Sequence, residues 1–101
     1  DIQARALAEA GVDADRLLIA TQSALDADGD LLNASERAEV DALMAQLRSL
    51  RSADSTTEST VDAATLEAAT QALAKGTEFF AAERMNRGIR QALAGKNVQA
   101  L

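Results

Sequence analysis

Apolar residues return every three or four positions along most of this chain, and none of its 101 residues is proline. In the first segment, Asp1 to about Ala27, the recurring positions are Ile2, Ala6, Ala10, Ala14, Leu17, Thr21 and Leu25, with Leu7 and Leu18 widening the stripe. This is helical period rather than strand alternation. Without a pyrrolidine ring, nothing clashes with the preceding turn to break a helix. Gly11 interrupts the segment at a cost of about 1 kcal/mol against Ala. Asp28-Gly29-Asp30 then supplies a stop, and Gly29 is expected to take the left-handed conformation that closes many helices.

A second segment spans about Ala34 to Ser52. Asn33 and Glu36 have capping-box spacing. Val40, Leu43, Met44, Leu47 and Leu50 form one apolar face, and Arg48 and Arg51 lie near the end, where the helix dipole favours cations. The polar stretch from Ser52 to Ser59 is expected to be a loop. The third segment begins near Thr60, with Ser59 or Thr60 as N-cap, and runs to Ala94, ending at Gly95. It carries two stripes. Leu66, Ala69, Leu73, Gly76 and Phe80 form one; Phe79, Ala82, Asn86, Ile89 and Leu93 form another, out of phase. The slip falls at Gly76, so either one helix bends there or two helices meet. The fold expected is all-α: an antiparallel bundle of three to four helices with a long first helix. The two stripes together predict Phe79, Phe80, Ile89 and Leu93 in the core and leave Arg84, Arg87 and Arg90 at the surface.

Composition removes most chemistry. The chain has no Cys and no His, which excludes disulfides, thiol and imidazole catalysis and the usual transition-metal ligands. Asp26-Ala27-Asp28-Gly29-Asp30 resembles the start of a calcium loop, but Leu31 and Arg37 stand where such a loop needs Gly and Glu. Paired acids such as Asp13 and Asp15, or Glu36 and Glu39, show no sign of the cleft that general acid–base work requires. The glycines are dispersed and form no phosphate-cradling loop. No catalytic residue, cofactor-binding residue or metal ligand is expected, and no enzymatic activity in these residues. No apolar run approaches the roughly 20 residues that span a bilayer.

The net charge of −6 arises wholly in residues 1–50, where ten acids face four arginines. An acidic body of this kind argues against nucleic acid as the partner. The end is basic, with Arg84, Arg87, Arg90 and Lys96 against Glu83. Two readings stand: an acidic neighbour for these cations, or a solvated face favoured by the helix dipole. A first helix of 27 residues is about 40 Å long. Its N-terminal part either projects, offering Ile2, Ala6 and Leu7 as an interdomain or dimer contact, or packs on the third segment.

Three blocks carry a family resemblance. Asp1-Ile2-Gln3-Ala4-Arg5-Ala6-Leu7-Ala8-Glu9 resembles the start of the long lid helix of the HscA-type chaperones. Leu31-Leu32-Asn33-Ala34-Ser35-Glu36-Arg37 resembles the start of their second lid helix. Phe80-Ala81-Ala82-Glu83-Arg84-Met85, followed by Arg90-Gln91-Ala92-Leu93-Ala94-Gly95, is similar to their last helical stretch. These are DnaK-type heat-shock chaperones of iron–sulfur cluster assembly. The resemblance implies that residues 1–101 are the helical lid subdomain of a substrate-binding domain. It also implies a longer cytoplasmic chain with an ATP-binding domain and a peptide-gripping β-domain upstream, and Asp1 is not a natural start. The implied partners are an iron–sulfur scaffold protein as client and the J-domain co-chaperone HscB. In DnaK-type lids an acid at the register of Asp15 latches to an arginine of the β-domain. Ile19 departs from the His found one turn later in DnaK, and the alternative for Asp15 is an exposed helix acid. The rival functional class is a helical adaptor or dimerisation module unrelated to chaperones, and the isolated chain is a candidate homodimer.

Overall fold

The computed structural model describes residues 1–54 and 60–100, and the side chains among them as far as residue 95. Four α-helices follow in order: α1 (Ile2–Asp28), α2 (Ala34–Asp54), α3 (Ala63–Gly76) and α4 (Glu78–Ala100), with a single 3-10 turn, Gly29–Leu31, between α1 and α2. The described residues contain no strand.

Three of the four helix starts are explained by local capping. The Asp1 carboxylate accepts from the Gln3 amide at 3.0 Å and caps α1. At α2 the capping box closes in both directions: the Asn33 amide donates to Glu36 Oε1 at 2.9 Å, and the Glu36 amide donates to Asn33 Oδ1 at 2.8 Å. α3 begins later than its sequence suggests. Its N-cap is Asp62, which accepts from the Thr65 amide at 2.8 Å. Aspartate is a stronger cap than threonine, so the start moves past Thr60; Ser59 lies outside the described residues.

The helix ends differ from expectation in three places. α2 runs to Asp54, into the stretch from Ser52 that was expected to be loop, because the Arg51–Asp54 ion pair at i, i+3 supports a further turn; residues 55–59 of that stretch lie outside the described residues. Gly29 is right-handed, with φ −58° and ψ −23°, because the chain tightens into the 3-10 turn instead of reversing through a left-handed residue. Gly95 does not stop α4, which continues to Ala100. Glycine lowers helix propensity but stops a helix only when the backbone leaves the right-handed region, and none of the described glycines has positive φ. The phase slip near Gly76 is a true break between two helices. The Thr77 amide reaches the Leu73 carbonyl at 3.1 Å, and its hydroxyl donates to the same carbonyl at 2.9 Å.

α1, α2 and α3 form an up-down-up bundle. Arg51 near the end of α2 lies beside Asp15 and Gly11, whereas Arg48 reaches Gln22, so α2 runs antiparallel to α1. α3 fills the groove between them. Its start lies near Leu7 and its end near Ala20 and Ala24. The core holds Ala10, Ala14 and Leu25 of α1, Val40, Met44 and Leu47 of α2, Leu66 and Leu73 of α3, and Phe80 of α4. Alanines on α1 let the backbones approach, and the larger side chains of α2 and α3 fill the remaining space. Full burial of a leucine such as Leu66 contributes roughly 1.5–3 kcal/mol. The absent side chain of Gly76 serves the same packing: a Cβ there would collide with Leu43 Cδ1.

α4 continues in the direction of α3 and runs past the end of α1. The molecule is accordingly 64 Å long and only 17 Å across at its thinnest. Beyond its first turn, α4 has no core to join. Phe80 is buried, but Phe79, Ile89 and Leu93 are exposed at 56%, 50% and 55%, contrary to the expectation that they belong to the core. Their stripe is real, and no other part of the described chain covers it.

Candidate functional site

Two groups of charged residues organise the surface. The first centres on Arg51. Its Nε and Nη2 donate to the two oxygens of Asp15 at 2.9 and 2.8 Å, a bidentate pairing between α2 and α1. Its Nη1 donates to Asp54 Oδ2 at 2.7 Å. Gly11 makes the room: a Cβ at that position would lie 2.7 Å from Arg51 Nη1. The hydrogen bonds from Arg51 hold the Asp15 carboxyl below the usual carboxylate range and raise the guanidinium pKa in return.

The second group ties α4 to the end of α1. Arg84 Nε donates to Asp28 Oδ2 at 2.8 Å, and Arg87 Nη1 donates to Asp28 Oδ1 at 3.1 Å. Arg87 also grips Asp30 through both terminal nitrogens, at 2.9 and 2.6 Å. Bonds from Arg84 and then Arg87 lower the Asp28 pKa, and bonds from Arg87 lower that of Asp30. The Arg84 guanidinium also stands over the Phe80 ring, 6.0 Å from its centroid. The acidic neighbour of these two basic residues is thus the Asp28-Gly29-Asp30 turn of the same chain. The turn's aspartates serve as arginine acceptors.

Sequence reasoning singled out Asp15, Ile2, Ala6 and Leu7. Asp15 stands at mid-α1, its carboxylate paired with Arg51 while 48% of its side chain stays exposed. Ile2 is 87% exposed at the tip of α1. Ala6 and Leu7 are half-buried beside Val61 and Ala63, where α3 begins. The structure does not bring Asp15 together with the other three. Two residues of the same helix were not read from the sequence as a surface pair, Val12 and Ile19; Ile19 entered only as a departure from the DnaK pattern. They are seven residues apart, hence on one face, and both are exposed, Ile19 at 71%. Ile19 borders a shallow groove with Asp15, Gln22, Asp26 and Arg48. An i, i+7 apolar pair outside the main stripe was the available signal. Among the described residues, no three acidic, Cys or His side chains converge to hold a metal, and no helix is long and apolar enough to cross a membrane.

The described surface thus carries ion-paired arginines between helices and, on the outer side of α1, two exposed apolar residues set among charged ones. Comparison with known proteins gives the chain's kinship. The chain is 69% identical over all 101 residues to the chaperone protein HscA homologue of Acidovorax sp. (strain JS42). It is 63% identical over the same span to that of Verminephrobacter eiseniae and 54% identical to that of Burkholderia thailandensis. No family model matches. Over its whole length the chain matches the C-terminal part of proteins named HscA chaperone homologues. It spans 15% of the length of these relatives.

Proposed function

We propose that these residues form the helical lid of an HscA-type chaperone, closing over client peptide held in a neighbouring β-domain. The observation that carries this reading is the uncovered side of α1. α2 and α3 cover one side of the helix, while Val12 and Ile19 face outward in a row. They stand among exposed charged residues such as Glu9, Asp13, Arg16 and Asp26, and a free side of this mixed character suits a cover laid reversibly across another domain. Asp15 lies beside that row and remains accessible while Arg51 holds it. A latch to an arginine of the β-domain would share or exchange the Arg51 contact when the lid closes. A lid acts by the difference in free energy between its closed and open arrangements, so it needs rigidity and a docking face rather than catalytic groups.

In this reading ATP binds upstream, in the ATPase domain of the whole chaperone, and drives lid opening. The client is an iron–sulfur scaffold protein delivered by the J-domain co-chaperone HscB, and the setting is the maturation of iron–sulfur proteins in the cytoplasm. The 69% identity to a protein named HscA supports the assignment to this chaperone system.

The test is the dissociation rate of a client peptide from the full chaperone in the ADP state, with and without residues 1–101. The lid slows dissociation and leaves the chemical step of ATP hydrolysis unchanged. Equal off-rates with and without these residues would end the assignment.

A further inference from the structure

We propose that the outward stripe of α4 is a self-association surface, and that two copies of this chain pair there through antiparallel α4 helices. The inference is independent of the lid reading. Phe79, Ala82, Asn86, Ile89 and Leu93 recur at alternating steps of three and four, the spacing of a coiled-coil seam. The side of α4 that carries Phe80, Arg84 and Arg87 is committed to the bundle, through the buried ring and the bonds to Asp28 and Asp30. At about 100° per residue the seam lies on the opposite side, and its large members are half exposed or more.

Charge identifies the occupant. Glu83 and Arg90 are seven residues apart and flank the seam on the same edge. In an antiparallel pair, like edges meet. Glu83 then faces Arg90 of the second copy, and Arg90 faces Glu83 of the second copy, so the twofold axis generates two opposite-charge pairs. The same register stacks Ala82 on Leu93 of the other copy and Asn86 on Ile89 of the other copy. A parallel pair fails by the same test: its unlike edges meet, which sets Glu78 against Glu83 of the second copy. In this register the Asn86 amide lies against Ile89 of the second copy, which costs stability and keeps the pairing weak. Two single-helix stripes fall at or below the low end of specific interfaces, about 1,200 Å² in total, so the pairing is weak and concentration-dependent.

Sedimentation velocity of the 101-residue chain from about 10 µM to 1 mM tests the proposal, a range that brackets weak association. The expected result is a reversible shift from monomer to dimer. Ile89→Asp abolishes the shift without changing helicity, because the residue is half exposed. Glu83→Arg weakens dimerisation by about tenfold through two like-charge contacts, and Glu83→Arg/Arg90→Glu restores it. Ile19→Asp, on α1, leaves dimerisation intact. A chain that stays monomeric at the highest concentration overturns the proposal. So does a dimer that survives Ile89→Asp, one that is lost in Ile19→Asp, or a charge-swapped double variant that fails to recover.

Discussion

The three-helix bundle and α4 are built from similar residues and held by different forces. In the bundle, Leu47, Leu66 and Leu73 are fully buried among Met44, Val40 and the alanines of α1. In α4, Phe80 is the one buried large apolar residue among those whose side chains are described, and ion pairs at the surface from Arg84 and Arg87 tie the helix to the end of α1. The bundle's stability therefore comes from apolar burial, which salt scarcely alters. The placement of α4 rests on electrostatics, which salt screens and acid removes. The lesson is that a periodic apolar stripe reports helix formation, whereas burial needs a second surface within reach.

The largest expected effect separates the two regions directly. Leu73→Ala should cost about 2–5 kcal/mol in urea unfolding, because it leaves a cavity in a closed core. Leu93→Ala on α4 should change stability by less than about 0.5 kcal/mol. Equal losses at the two positions would erase the distinction. Glycine makes the same contrast with opposite signs. Gly76→Ala forces a methyl group into Leu43 and should destabilise by about 1–3 kcal/mol. Gly88→Ala meets nothing within 4 Å and should stabilise by up to about 1 kcal/mol through helix propensity alone. Thermal unfolding of both variants reads the two signs.

Smaller effects test the ion pairs. Arg51→Ala should cost about 1–2 kcal/mol, since it strips both Asp15 and an Asp54 carboxylate that is only 10% exposed. Arg51→Lys should recover less than half, because an ammonium cannot reproduce the bidentate fork. The smallest effect concerns α4 and acid. The carboxyls of Asp28 and Asp30 have folded pKa values below the ordinary aspartate value of about 3.9. A depressed pKa contributes docking strength at neutral pH, and that contribution is lost as pH falls through the folded values. A fluorophore pair on α1 and α4 should thus report constant distance from pH 8 to about 5 and release below about 4. Asp28→Asn should weaken the docking at pH 7, with a stronger dependence on salt in what remains.

Much of the fold was legible because its determinants are local. The capping box of Asn33 and Glu36, the apolar face from Val40 to Leu47 and the break at Gly76 are each a matter of spacing over a few residues. The start of α3 was misplaced by a competition between neighbouring caps that Asp62 wins. Phe79, Ile89 and Leu93 were misassigned because their stripe is as regular as a core stripe. Regularity says nothing about whether α1 and α2 extend far enough to meet it. The pairing of Arg51 with Asp15 joins residues 36 positions apart. That of Arg87 with Asp30 joins residues 57 apart. Charge asymmetry hinted at the second and nothing in the sequence pointed to the first.

By itself the sequence determined that this chain is helical, where most of its helices start and stop, and which chemistries lack the side chains they need. Those properties follow from propensity, periodicity and composition, which act over a turn or two of backbone. Tertiary structure alone decided which apolar stripe is core and which is surface, and which acid each arginine holds. It also decided why Gly11 and Gly76 have no side chain. These depend on where one helix ends relative to another, a distance in space that no spacing along the chain encodes.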